Sequence, residues 1–113
     1  MKISKFHIYL ADLDPAFGTE PGKTRPVVVV QTDDINDIHT STVVCLLTSR
    51  LRNDAAPLRV RVLAKESLLP FDSDIMIDQI RAIDNCRFKE HLGKLNDRQC
   101  DALLENLKSL ILE

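Results

Sequence analysis

Between Phe17 and Gln31 the chain runs FGTEPGKTRPVVVVQ, a stretch that carries one carboxylate, Glu20, and two cations, Lys23 and Arg25. That grouping suits work on a phosphate: cations bind and neutralise its oxygens, and a carboxylate can accept a proton. Gly22-Lys23-Thr24 also looks like the end of a nucleotide-binding phosphate loop. Such a loop needs G-x-x-x-x-G-K-[ST] with a helix straight after it, because the helix N-terminus holds the phosphates. Counting back, the first glycine should be residue 17, which is Phe17, and Gly18 comes one position too late. After Thr24 come Arg25-Pro26 and four valines, which enter a strand and not a helix. The phosphate-loop reading fails on both counts.

Other chemistry-bearing residues are scattered. Cys45, Cys86 and Cys100 are odd in number and widely spaced, which fits neither a disulfide framework nor a paired zinc motif. Cys45 lies in an apolar run and is expected to be a small core residue. His7, His39 and His91 form no spaced motif and are expected at the surface or in packing.

The elements that must position these groups are mostly strands. His7 to Leu13 alternates and predicts a first strand, ending at Asp14-Pro15. A polar loop leads to Thr24, then Val27 to Val30 predicts a buried strand. Asp33 to Ser41 is expected as polar loop with at most one helical turn, and Thr42 to Leu47 as another buried strand closing on Thr48-Ser49. Leu58 to Leu63 alternates apolar residues with Arg59 and Arg61 and predicts a half-exposed strand. Ile75 to Asp84 is apolar but interrupted by Asp78-Gln79. Polar groups among isoleucines there need a reason if buried, such as a hydrogen-bonded core or dimer network. Leu103, Leu104, Leu107, Leu110 and Ile111 recur at helical spacing, and Asn96 with Gln99 gives that helix a capping-box start. Five or so strands and one C-terminal helix predict a mainly β fold, a small barrel or strongly curved sheet.

The 113 residues are enough for one domain with one core and short for two, so 1–113 is expected to be a single domain. No run of about 18 apolar residues is present and no long apolar run follows the basic N-terminus, so the cytoplasm is the expected compartment. Net charge is −2, yet residues 22–65 carry seven basic and four acidic groups, leaving the middle positive and the remainder negative. A positive middle is compatible with a polyanion partner, and equally with solvated strand edges. Aromatic content of 4% leaves few base-stacking platforms; Phe17 in the loop is the best placed, and packing against its own fold suits it equally.

Gly18-Thr19-Glu20-Pro21-Gly22-Lys23-Thr24-Arg25-Pro26-Val27-Val28-Val29-Val30-Gln31 resembles the signature of the MazF/PemK-type toxins, Gly-[Ser/Thr]-Glu-x-x-x-x-Arg-Pro-Val-x-Val-x-Gln. Tyr9 to Pro15 is similar to that family's first strand, Leu46-Leu47-Thr48-Ser49 to its strand ending in Thr-Ser, and Asp78 to Asp84 to its Gln-Ile-Arg-x-Ile-Asp strand. The blocks keep family order over nearly the whole chain. The resemblance implies a small SH3-like barrel with a C-terminal helix, usually a homodimer. It implies a sequence-selective endoribonuclease cutting single-stranded RNA with no metal or other cofactor and held inactive by a cognate antitoxin. The ribose 2′-OH would attack the adjacent phosphodiester, leaving a 2′,3′-cyclic phosphate and a 5′-OH. Arg25 matches the catalytic arginine, Thr48 a threonine acting with it, and Glu20 a loop glutamate that could be general base or ion-pair partner of Lys23 or Arg25. Phe17, Thr19, Lys23, Ser49, Asp78 and Gln79 are the expected RNA contacts. Thr19 and Met76 stand where some PemK-like relatives carry a histidine and an arginine, which favours the arginine–threonine arrangement over Asp78 as base. CcdB-type toxins, which poison DNA gyrase without cutting RNA, share this barrel, but the intact Gly-Thr-Glu…Arg-Pro loop speaks against that alternative.

Overall fold

The computed structural model describes residues 1–14, 23–54 and 58–112. Among them run six strands: β1 (His7–Asp12), β2 (Thr24–Val29), β3 (Ser41–Thr48), β4 (Arg59–Val62), β5 (Ser73–Asp84) and β6 (Phe88–Lys94). The helix α1 (Asp97–Leu107) follows, and its end widens into a looser helical turn, Lys108–Leu112. The strands form one antiparallel sheet in the order β4-β5-β3-β2-β1-β6. The fold is mainly β with a C-terminal helix, as the residue pattern predicts.

Both faces of this sheet are covered. Tyr9, Ala11, Val27, Val29, Val44 and Leu46 face one apolar cluster, and Ile8, Val28, Cys45, Leu47, Val60 and Ile75 face the other. A strand buried on two sides has no reason to alternate, which explains the unbroken valines of β2. Helix α1 closes the second face. Asn96 accepts a hydrogen bond from the Gln99 N–H at 2.8 Å, and the Gln99 side chain accepts from the Asn96 N–H at 2.9 Å. This reciprocal cap satisfies two helix-start donors and fixes where α1 begins. Leu103 then enters the cluster of Val60, Val62, Ile75, Ile77 and Leu95 with no exposed surface.

Two features depart from the sequence pattern. Strand β6 lacks alternation, and its pairing with β1 shifts register between Ile8 and Tyr9 and again between Leu10 and Ala11. In β5 the partner of Cys45 is Ile80 while that of Leu46 is Met76, so Ile77, Asp78 and Gln79 form a bulge. Asp78 is exposed and Gln79 half-buried there. The polar pair marks a break in the ladder and not a buried strand centre.

At the sheet edge, His7 Nδ1 lies 2.9 Å from His91 Nε2, and the rings are 5.1 Å apart. Partial burial, then the facing His91, Lys94 and Lys2, hold His7 below the usual imidazole value, with Asp33 acting in the opposite direction. A histidine with a depressed folded pKa favours the fold while neutral. As pH falls below about 6.5 the unfolded chain takes up the proton first, and stability declines. Tm is therefore expected to fall between about pH 7 and pH 5.5, and His91→Gln is expected to flatten that slope. Two parallel Tm profiles would contradict this account of the pair.

Candidate active site

β2 starts at Thr24 because Pro26 restricts Arg25 to extended backbone and the valines then favour a strand. Arg25 pairs with Ala11 on β1. On the other side Val27 pairs with Leu46 of β3, and the same register carried two residues on sets Arg25 beside Thr48. Both side chains line one cleft of about 490 Å³, together with Lys23 and Ser49. Leu10, Pro26, Leu47, Leu69 and Leu92 give it apolar walls. Such walls lower the local dielectric and strengthen a guanidinium–phosphate contact.

The loop that precedes Arg25 is fastened at both of its described ends. Leu13 N–H donates to the Lys23 carbonyl at 2.8 Å, and Lys23 N–H donates to the Asp14 carboxylate. Arg87 spans the base of the loop, donating to the carbonyls of Asp12 at 3.0 Å and Asp14 at 2.6 Å. Lys23 itself has φ +63°, a left-handed conformation that costs a non-glycine residue about 1 kcal/mol or more. That turn brings the chain back to enter β2 at the cleft.

Thr48 is nearly buried, and its Oγ1 accepts a hydrogen bond from the Arg50 N–H at 3.2 Å. The hydroxyl accepts in that contact, so what it can offer a ligand is its proton. An ordinary hydroxyl is a poor base, and hydrogen bonding to a phosphate oxygen suits it better. Across β3 and β5, Thr48 pairs with Asp74. Asp74 has a 1% exposed side chain, bonded to Arg61, to Arg59 at 3.2 Å and to the Arg52 N–H at 2.9 Å. Burial alone would push its pKa up, but these donors and the Arg61 charge hold it below the usual carboxylate value. Burial likewise pushes the Cys45 thiol up to about 12, with Asp78 adding to the effect, so Cys45 is an inert core residue as expected.

Of the sequence-predicted site residues, Arg25, Thr48, Lys23 and Ser49 come together. Asp78 and Gln79 are not among the cleft residues, and Phe17, Thr19 and Glu20 lie outside the described residues. Two features of this end of the fold escaped the sequence reading. Phe71 lines the cleft with 67% of its surface exposed, while the aromatic rings of Tyr9 and Phe88 are buried. Arg59 and Arg61, read as a solvated strand face, both turn to Asp74. The polar run Asp72-Ser73-Asp74 ahead of Ile75 was the available signal for that contact.

The chain matches the model of the family described as PemK-like, MazF-like toxin of type II toxin-antitoxin system over residues 4–111. It is 38% identical over 92 residues to Endoribonuclease MazF of Staphylococcus saprophyticus subsp. saprophyticus, covering 81% of this chain and 77% of that protein. Among solved structures it is similar to Mycobacterium tuberculosis toxin MazF-mt6, with TM-score 0.77, 25% identity, and 91% and 93% of the two chains covered. The fold also matches MazF from Deinococcus radiodurans, with TM-score 0.83, 22% identity, and 100% and 99% of the chains covered. A family match over nearly the whole length, with the signature arginine and threonine brought to one cleft, places the chain among the PemK-like, MazF-like toxins of type II toxin–antitoxin systems.

Proposed function

We propose that residues 1–113 form a single toxin domain that cuts single-stranded RNA at selected sequences, without a metal, through attack of the ribose 2′-OH. The observation that carries this reading is the placement of Arg25, Thr48, Lys23 and Ser49 around one cleft. In the reaction the 2′-oxygen bonds to phosphorus and loses its proton to a base, the bond from phosphorus to the 5′-oxygen breaks, and the leaving oxygen takes a proton from solvent water. The products are a 2′,3′-cyclic phosphate and a 5′-OH. Arg25 binds two phosphate oxygens through its fork and stabilises the charge that builds on them in the phosphorane. Thr48 donates a hydrogen bond to the same phosphate and orients it. Glu20, three residues before Lys23 in sequence, supplies a carboxylate that can take the 2′-OH proton or pair with Lys23 or Arg25. Lys23 and Ser49 hold the substrate at the rim, and Phe17, Thr19, Asp78 and Gln79 contact the RNA beyond it. The cytoplasm is the compartment where such a substrate is met. The functional unit is a homodimer, and a cognate antitoxin holds it inactive.

The Staphylococcus relative's name, Endoribonuclease MazF, supports this reaction class. Purified protein, free of antitoxin, is expected to cleave a long unstructured RNA in the presence of EDTA, and sequencing of the 5′-OH ends will give the recognition sequence. Intact RNA after incubation with folded protein would count against the proposal.

The exposed ring of Phe71 gives a second expected result. Stacking of a base on an aromatic face contributes about 1–3 kcal/mol. Phe71→Ala is therefore expected to raise KM for RNA roughly tenfold or more, with kcat much less affected. A kcat loss at unchanged KM would assign the ring to the reaction step instead.

A further inference from the structure

Next to the cleft, two arginine side chains bond a single buried acid, and two more arginines stand on the adjoining loop. Asp74 uses both carboxylate oxygens: Oδ1 accepts from Arg61 Nε, and Oδ2 from Arg59 Nη1 and the Arg52 N–H. The two guanidinium groups then reach the loop that follows β3. Arg59 donates to the Arg50 carbonyl at 2.6 Å, and Arg61 to the Asn53 side chain at 2.9 Å. Arg50 and Arg52 stand exposed on that same loop. A hollow of about 210 Å³ opens between Arg52, Asn53, Arg59, Arg61 and Asp74.

The charges do not balance. Asp74 offsets one of four guanidinium groups. Two further acids lie near: Asp72 acts on Arg61 through space, and Asp54 meets Arg52 at 3.8 Å with side chains 63% and 82% exposed, a pair that contributes little. Gathering like charges is unfavourable unless an anion occupies the space between them. The cluster is also continuous with the cleft: Ser49 precedes Arg50, Ser73 precedes Asp74, and both serines line the 490 Å³ cleft. This continuity lets one extended ligand reach both places.

We propose that Arg50, Arg52, Arg59 and Arg61, organised by the buried Asp74, form a second phosphate-binding subsite that grips the RNA backbone beyond the cleft. The proposal rests on the reading of the cleft as an RNA-cleaving site. Asp74 fixes the direction of Arg59 and Arg61, so little side-chain freedom is lost when they bind. Arg50 and Arg52 supply the exposed charges. RNA is favoured over an acidic peptide because the cluster continues into the cleft that holds the reacting phosphate.

The test compares the intact protein with Arg50→Ala/Arg52→Ala and with Asp54→Asn, on a long unstructured RNA and on an oligonucleotide that fills the cleft alone. The double variant keeps the Asp74 network and is expected to fold. On long RNA its KM should rise about tenfold, and its log–log salt slope should be shallower by about 1.4, two released charges on a single strand. On the short oligonucleotide both proteins should behave alike, and Asp54→Asn should lower KM on the long RNA. A wild-type protein that cleaves neither RNA would overturn the reading of the cleft, and this subsite with it. Active wild-type and double variant with identical KM and salt slope would overturn the subsite alone. So would unchanged RNA kinetics combined with lost binding of a poly-glutamate peptide, which would assign the cluster to an acidic protein partner.

Discussion

Replacing Arg25 with alanine is expected to lower kcat on single-stranded RNA by roughly 10²–10³-fold, with Tm shifted by no more than a few degrees. Arg25 sits half-buried at the start of β2, in a cleft walled by leucines. A charge-assisted fork aimed at the phosphate counts for most in the transition state, when negative charge on the phosphorane oxygens is greatest. The loss should therefore appear in kcat more than in KM. Arg25→Lys keeps the charge but loses the bidentate fork, so it should recover only part of the rate. Strand β2 is held by Val27, Val28 and Val29, each fully buried, and does not depend on Arg25 for its packing. Equal losses of activity and stability in Arg25→Ala would show the arginine to be structural.

Leu103→Ala has the largest expected effect on stability. Leu103 is the fully buried apolar side chain of α1 in the cluster of Val60, Val62, Ile75 and Ile77, with Cys100, Ala102 and Leu107 packed partly buried against it. Truncating such a leucine removes its transfer free energy and leaves a cavity, for a loss of about 3 kcal/mol within a range of roughly 2–5. In a domain of this size that lowers Tm by roughly 10 °C or more. Leu104→Ala, one residue on and 45% exposed, should cost much less. Similar losses at the two positions would mean that α1 docks through a different face. Because β4 and β5 carry Arg59, Arg61 and Asp74, loosening α1 should also blunt activity well below the melting transition.

How legible this was in the sequence depended on whether the deciding contacts were local. The β-branched run of β2, the capping box of α1 and the Arg25-Pro26 step are governed by neighbours in sequence, and each formed where the pattern placed it. The sheet needs only the apolar runs, so its mainly β character was also readable. β6 was not, because Phe88-Lys89-Glu90-His91-Leu92-Gly93-Lys94 has no period of two, and its pairing with β1 depends on two register shifts. The bulge at Ile77-Asp78-Gln79 shows in the sequence as a polar interruption, but only the partner strand decides whether such a pair is buried or looped out. Asp74 is similar: its partners Arg59 and Arg61 lie 15 and 13 residues away, and alternation alone put those arginines in solvent. For the site, Arg25, Thr48 and Ser49 were legible through the family signature and Lys23 as a cation two residues before Arg25, and the four come together. Phe71 was not, since an isolated aromatic carries no spacing signal.

The most direct measurement uses an RNA containing the mapped cleavage sequence with one 2′-deoxyribose at the nucleotide whose 2′-OH would attack. With the wild-type protein in EDTA, the all-ribose RNA should yield a 2′,3′-cyclic phosphate and a 5′-OH, while the singly substituted RNA binds with similar affinity and stays whole. Cleavage of the 2′-deoxy substrate at the same bond would contradict the account, because another nucleophile would then be attacking the phosphate that Arg25 and Thr48 are proposed to hold.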